Sequence, residues 1–492
     1  MKADIITIDI GTSSCKVALF SDTGEIMAKR SESYSLLILP NGWVEQDPEL
    51  IFRQVVKALH KLEEADVSFE TVRGISLCAQ ISAQFLVDKT GRPLTNMISW
   101  MDQRAKKETL RFTGDFQREE LEKITGMDMV VTPAYSIPKL MWMKENISSV
   151  LKESKHFVQI KDYVIYRLTG NWISDFTSLK GLVDQREGRP LQEIWRYLDL
   201  SPQLLPEVRK PYEIAGRFQR QKTGLKKIPA DIPVVTGWND MNAAFLGMGA
   251  LLENGIGLDM TGTSEHLGWV GKTEPVSCEE YRGNNRIPFT EGTEAFYGVS
   301  SSSGLTIEWY VHKILKEADI SAYIEAALKD FYWKDVEGLL FLPYLEGERN
   351  PWNNPDASGV FFGLKRHHEQ KHLMAAVLEG ICFELRAIFD CLPKKPTRII
   401  VSGGASENKI WNQMKADIFN VKVQTIDVKE AGCTGAEILA QKALNDELSL
   451  EEISHSMIHT MEEFCPREEC HSFYRKEYSK FIELYQTVEH LF

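Results

Sequence analysis

Long apolar runs are missing from this chain. No stretch of eighteen or more apolar residues occurs, so no membrane-spanning helix is expected. The start, Met1-Lys2-Ala3-Asp4, runs straight into a strand pattern without the apolar core of a signal peptide, and a cytoplasmic location is expected. Paired cysteines are missing too. The eight cysteines stand at 15, 78, 278, 382, 391, 433, 465 and 470 with no CxxC among them, and a chain of 492 residues needs no disulfide to hold a core. Cys465, Cys470 and His471, with His455 and His459 nearby, are spaced more widely than zinc ligands usually are, and no HExxH occurs. Positive charge is in short supply. The net charge of −13 argues against a nucleic-acid partner, although local basic pockets for phosphate remain open. The usual nucleotide loops are missing as well. In Gly268-Trp269-Val270-Gly271-Lys272-Thr273 the glycines are three apart rather than five, and no GxGxxG occurs.

What is present reads as a globular α/β chain of two or three domains, 43% hydrophobic and 26% charged. Ile5 to Ile10, Cys15 to Phe20 and Ile26 to Ala28 read as three strands, joined at Gly11-Thr12-Ser13-Ser14 and at Ser21-Asp22-Thr23-Gly24. Residues 48–64 read as a helix begun by Pro48, with Ile51, Val55, Leu59 and Leu62 on one face, and Thr71 to Leu77 reads as the next strand. The stretch 103–230 is expected to be mostly helical, broken by proline-marked loops. A second beginning lies near residue 256. There Asp259-Met260-Thr261-Gly262-Thr263-Ser264 and the strand after it echo Asp9-Ile10-Gly11-Thr12-Ser13 and its following strand. The echo predicts two domains of similar core, with a boundary near Gly247 to Gly255. A third glycine turn, Gly403-Gly404, joins the strand Arg398–Ser402 to a helix from Asn408 to Phe419, and such turns allow close approach of a flat or anionic ligand.

Two acids stand out. Asp240 follows Gly237-Trp238-Asn239 at the end of the apolar run Ile232–Val235 and begins a helix pattern. In an α/β sheet that crevice is where ligands bind. A lone carboxylate there is most often a helix cap. A second acid in a matching setting, Asp9, changes the balance: one can hold a metal while the other takes a proton from a hydroxyl. That is the minimum equipment for moving a phosphoryl group from ATP. The paired turns carrying Thr12, Ser13, Thr263 and Ser264 supply N–H groups and hydroxyls for phosphate oxygens, although each alone is also a plain hairpin. Trp43 and Trp100 are candidate aromatic walls for a sugar, although tryptophans are more often packing.

Several stretches together carry a family resemblance over nearly the whole chain. They are Asp9–Ser13, Trp43–Pro48, Ser136-Ile137-Pro138-Lys139-Leu140-Met141-Trp142, Phe341–Pro351, Gly359–Leu364 and Ala376-Val377-Leu378-Glu379-Gly380. On these the chain resembles the FGGY family of carbohydrate kinases, with a xylulokinase-like pattern. The resemblance implies an actin-like, ribonuclease H-like fold: an N-terminal sugar-binding domain (1–247), a C-terminal ATP-binding domain (248–492) and an interdomain cleft that closes on ATP and Mg²⁺. It implies Asp240 as general base and Asp9 as the magnesium residue. It also places Gln80, Ile81, Ser82, Trp100, Asp240 and Met241 in the sugar pocket. Thr12, Ser13, Gly262 and Thr263 would face the phosphates, and Gly403, Gly404 and Asn408 would border the adenosine.

The pattern also departs from the family. Xylulokinases usually show Gln-Met-His where this chain has Gln80-Ile81-Ser82, and Asp-Asn where it has Asp240-Met241. The Arg-Glu pair of the glycerol kinases is absent. The expected acceptor is a ketopentose such as xylulose or a related deoxy sugar, with a polyol as the alternative inside the family; a pocket with Ile81, Met101 and Met241 favours a deoxy sugar or a smaller polyol. The expected partner is therefore a small sugar, with no nucleic acid and no membrane. A homodimer through the helices of 440–490 is left open. The rival reading is a sugar-sensing protein on a kinase scaffold, disfavoured because it has no need of both acids.

Overall fold

The structure, a computed structural model, describes residues 4–128, 130–262, 264–273, 283–301 and 303–492. Contacts divide it into two compact units, one of Met1–Gly247 with Glu430–Met457, the other of Met248–Lys429 with Ile458–Phe492. The segment 430–457 thus returns to the first unit, a crossing that a division into two consecutive halves does not contain.

The first unit opens with β1 (Asp4–Ile10), β2 (Ser14–Phe20) and β3 (Ile26–Ser33), paired antiparallel in that order. Helix α1 (Pro48–Glu63) follows. Asp47 caps it by accepting the Glu49 N–H at 2.8 Å, a contact worth about 1 kcal/mol. Its Ile51, Val55, Leu59 and Leu62 share one buried core with Ile6, Ile8 and Ile10 of β1, and the helix packs on β2 and β3. Strand β4 (Val72–Ala79) runs parallel to β1 on the side away from β2. Beyond it lie helices α2 (Ser136–Asn146) and α3 (Ile160–Thr169). Strands β5 (Ile214–Arg217), β6 (Pro233–Val235) and β7 (Trp238–Asn239) come next, then helix α4 (Asp240–Gly247). The sheet order is β5-β6-β4-β1-β2-β3, with β7 also on β4. The stretch 103–230 is not mostly helical. It also holds the strands His156–Gln159, Ile173–Asp175, Glu207–Arg209 and β5, each too short to print a period on the sequence.

The second unit repeats this opening. Strand β8 (Ile256–Thr261) forms a hairpin with β9 (Glu265–Lys272), followed by β10 (Asn285–Pro288) and β11 (Thr293–Ser300). Helix α5 (Gln370–Asp390) leads to β12 (Arg398–Gly403), parallel to β8, then α6 (Lys409–Phe419) and β13 (Lys422–Ile426). The chain then re-enters the first unit as α7 (Ala431–Leu444), and comes back with β14 (Thr460–Phe464) and α8 (Glu468–Val488). The sheet order is β10-β11-β9-β8-β12-β13-β14. Aromatic residues of α5, α6 and α8 fill its core, Phe383, Trp411, Phe481 and Tyr485 among them. Among the described residues, no helix is long and apolar enough to cross a membrane.

Candidate active site

Strand β4 alone separates β1, which carries Asp9, from β7, which leads into Asp240. Asp9 of β1 pairs with Cys78 of β4, and Cys78 pairs on its other side with Trp238 of β7, two residues before Asp240. Gly237 makes the entry to β7 possible. Its φ is +67°, and a Cβ there would sit 1.9 Å from the Leu77 carbonyl oxygen, so no side chain fits. Asp240 is the first residue of α4, half-buried, and its Oδ1 accepts the Met241 N–H at 2.9 Å. Burial pushes its carboxyl up to about 7, and the charge of Asp9 adds to the shift. Asp9 is raised by burial as well, and Lys16 opposes the change. Gly432, at the start of α7, stands over Asp9: a Cβ on it would be 3.4 Å from Asp9 Oδ2.

The residues expected around a sugar are tied into one network. Gln80 is buried; its Nε2 donates to Gln46 Oε1 at 3.0 Å, while Gln46 Nε2 donates to the Thr12 carbonyl at 2.8 Å. Gln80 Oε1 has no partner among the described residues, an acceptor left over inside the protein. Ser82 holds a left-handed backbone (φ 62°) and donates its N–H to Gln159 Oε1 at 3.1 Å. The Trp100 indole N–H donates to Thr12 Oγ1 at 3.1 Å, which joins a sugar-side candidate to a phosphate-side one. Ile81 and Met241 are half-buried, and Met101 is exposed. Trp43 is placed differently. The Arg104 guanidinium lies 4.0 Å above its ring and Trp142 meets it edge-on at 5.3 Å, so this indole packs against protein.

The supports of this network went unread in the sequence. Lys139 of α2 is fully buried. Its ammonium donates to the carbonyls of Ile98 at 3.1 Å and Ser99 at 3.0 Å, and also to Ser82, gathering the loops on both sides of the pocket residues. Burial lowers its ionisation to about 7. Arg104 pairs with Asp102 and Glu45, each at 2.8 Å, and fixes the loop that presents Trp100. Lysine usually marks a surface. Its place inside the Ser136–Trp142 signature was the signal available.

In the second unit, Thr261 of β8 pairs with Gly403 of β12, so the Gly262 turn and the Gly403-Gly404 turn lie side by side at the ends of parallel strands. Gly403 has φ +98°, and a Cβ on it would lie 2.1 Å from the Thr261 carbonyl. Gly262 and Gly404 are exposed, and a Cβ on Gly404 would meet nothing within 4 Å. Thr263 lies outside the described residues, and Ser13 of the first unit's turn is exposed. Asn408 caps α6, its Oδ1 accepting the Trp411 N–H at 2.9 Å. Below the turn sits a buried ionic group that the sequence did not reveal. Lys415 of α6 meets Asp259 at 2.6 Å and Glu265 at 2.5 Å, one carboxylate on each arm of the β8–β9 hairpin. Ser303 donates its hydroxyl to Glu265. Burial and the charge of Glu265 push the Asp259 carboxyl up, so one proton and one ammonium balance the two acids.

Comparison with known proteins places the chain in a family. The N-terminal domain model of the FGGY family of carbohydrate kinases matches residues 5–247, and the C-terminal domain model matches 260–444. A xylulose kinase of Lactococcus lactis is 30% identical, with 99% of this chain and 97% of that protein covered. A gluconokinase of Bacillus licheniformis is 27% identical over the same shares. The crystal structure of a ligand-bound xylulose kinase from Lactobacillus acidophilus superposes with a TM-score of 0.88 at 26% identity, covering 99% of this chain and 98% of that one. With both family domains matched and a relative aligned end to end, the chain belongs to the FGGY family of carbohydrate kinases, phosphotransferases that act on a sugar hydroxyl.

Proposed function

We propose that this kinase moves the γ-phosphoryl group of ATP to a hydroxyl of a small open-chain sugar or sugar derivative, in the cytoplasm, with Asp240 as the general base. The observation that carries this reading is the Asp240 carboxyl, aimed by Gly237 and raised to about 7 beside Asp9. A base of that strength takes a hydroxyl proton near neutral pH and still gives it up afterwards. Gln80, with its unpaired acceptor, and Ser82 orient the sugar. The turns at Thr12, Gly262 and Gly403 offer N–H groups to phosphate and nucleotide.

Magnesium fits this set of residues. Asp9 and Asp240 are hard oxygen donors, and the described residues hold no ready cluster of three His, Cys, Asp or Glu. That suits an ion held by one or two carboxylates that shares its remaining positions with water and phosphate. Asp9 is the residue proposed to hold it, and the ion when bound neutralises phosphate charge. The relatives named above are xylulose kinases and gluconokinases, so the pocket residues, rather than the family, choose among ketoses, deoxy sugars, polyols and sugar acids.

ADP release from Mg·ATP, measured against panels of these four acceptor classes, tests the reading. It fails if no acceptor stimulates release. Two further outcomes are expected. First, kcat/KM rises about tenfold per pH unit below about 7 and levels off above it, because only the unprotonated Asp240 accepts a proton. A profile flat across that range removes Asp240 as the base. Second, Lys139→Met raises the acceptor KM about tenfold or more, because loops that drift by a fraction of an ångström lose the reactive pose. The ATP KM should move far less, and equal shifts in both constants would detach Lys139 from the sugar side.

A further inference from the structure

Lys180 is the charged side chain that the reading above leaves without a task. It follows a short turn whose position is fixed from two sides. Thr177 Oγ1 accepts the Trp238 indole N–H at 2.7 Å and the Asn239 amide N–H at 3.1 Å, which binds the turn to the strand that ends at Asp240. Gln159 holds the Ser178 carbonyl with its Nε2 and the Ser82 N–H with its Oε1. The turn, Ser82 and Asp240 therefore belong to one wall. From there the Lys180 ammonium lies 5.8 Å from the centre of the Tyr135 ring.

Among the described residues that ammonium makes no ion pair and no hydrogen bond. It is half-buried, and burial lowers its ionisation to about 8 while the charge of Asp240 pulls the other way. Lys180 and Asp240 sense each other without touching. A desolvated ammonium without a partner is costly unless a bound anion supplies one. A ligand with a hydroxyl at one end and a carboxylate farther along its chain satisfies both groups at once.

We propose that Lys180 is a specificity-determining residue that receives a carboxylate of the acceptor, so that the preferred substrate is an acid sugar of the aldonate type. This rests on the reading of Asp240 as the base on the sugar side. It overrides the deoxy-sugar expectation drawn from Ile81, Met101 and Met241. The anion could instead be the transferred phosphoryl group of ATP, which the same ammonium would suit. The tie of its turn through Gln159 to Ser82 puts Lys180 with the acceptor side.

The test compares five- and six-carbon aldonates with the matching ketoses and polyols, using the full chain, Lys180→Met and Lys180→Arg. Native kcat/KM is expected to be about 100-fold higher for the best aldonate than for the best neutral acceptor. Lys180→Met should lower the aldonate value about 100-fold and the neutral ones far less, with Lys180→Arg in between. The native KM for the aldonate should also rise above about pH 8, where the ammonium loses its proton. A neutral best acceptor overturns the proposal. So does an equal loss for all acceptors, which would assign Lys180 to the phosphoryl group or to the tuning of Asp240. Absence of ADP release with every acceptor is a failure of the kinase reading instead. Calorimetric binding of the aldonates to native protein and Lys180→Met then decides the carboxylate site by itself: binding to the native protein alone supports it, and equal binding or none overturns it.

Discussion

Asp240→Asn is expected to lower kcat by about 10²- to 10⁴-fold, the usual weight of general-base help. Asparagine keeps the shape of the side chain and can still accept the Met241 N–H, so the start of α4 should survive. What is lost is the ability to hold a proton. The residual rate should therefore lose the rise with pH centred near 7 in the native enzyme. Nucleotide binding, followed by calorimetry, should change little. A variant within about tenfold of native turnover would move the base elsewhere, and the raised Asp9 would be the next residue to replace.

Lys415→Met is expected to be the most damaging single change in the second unit. It leaves Asp259 and Glu265, both fully buried, facing one another without a cation. Breaking a buried pair from one side costs about 3–5 kcal/mol, because the stranded charge cannot reach water. Thermal unfolding should report the loss. Lys415→Met combined with Glu265→Gln should recover part of it, since the carboxyl that remains, Asp259, is the one whose ionisation is pushed up and glutamine keeps the Ser303 contact. If the double variant is no better than the single one, the damage comes from packing rather than charge. Because the two carboxylates flank the Gly262 turn, ATP KM should rise in the single variant more than acceptor KM does.

The elements that carry the two candidate acids were legible where burial alternates simply. Ile6, Ile8 and Ile10 mark β1, so Asp9 could be placed at its end, and Gly237 marked the turn before Asp240. Helix α1 showed both its cap and its buried stripe. Legibility failed where structure depends on partners distant in sequence. Strands such as Ile173–Asp175 exist because Glu207–Arg209 lies beside them, and three residues carry no period. Nothing in the sequence marked Lys139, Lys180 and Lys415 for burial, because a sequence does not state which carbonyls, rings or acids will surround a lysine. The return of α7 was hidden for the same reason. Its trace was Gly435, where a Cβ would fall 1.8 Å from the Ala243 carbonyl of α4, a contact between helices 192 positions apart only once the chain is folded.

That return has a consequence for how the protein is made. Helix α7 covers β1 and β4 and packs on α4, and Ala440 closes over Ile5 and Val235. The first unit therefore cannot be finished when residue 247 leaves the ribosome. It must wait with one sheet face bare while 248–429, the bulk of the second unit, is translated. At ordinary elongation speeds that pause lasts roughly 10 to 40 s. When α7 arrives it also brings Gly432 over Asp9. Completion of the first unit and completion of the surroundings of Asp9 are thus the same late event.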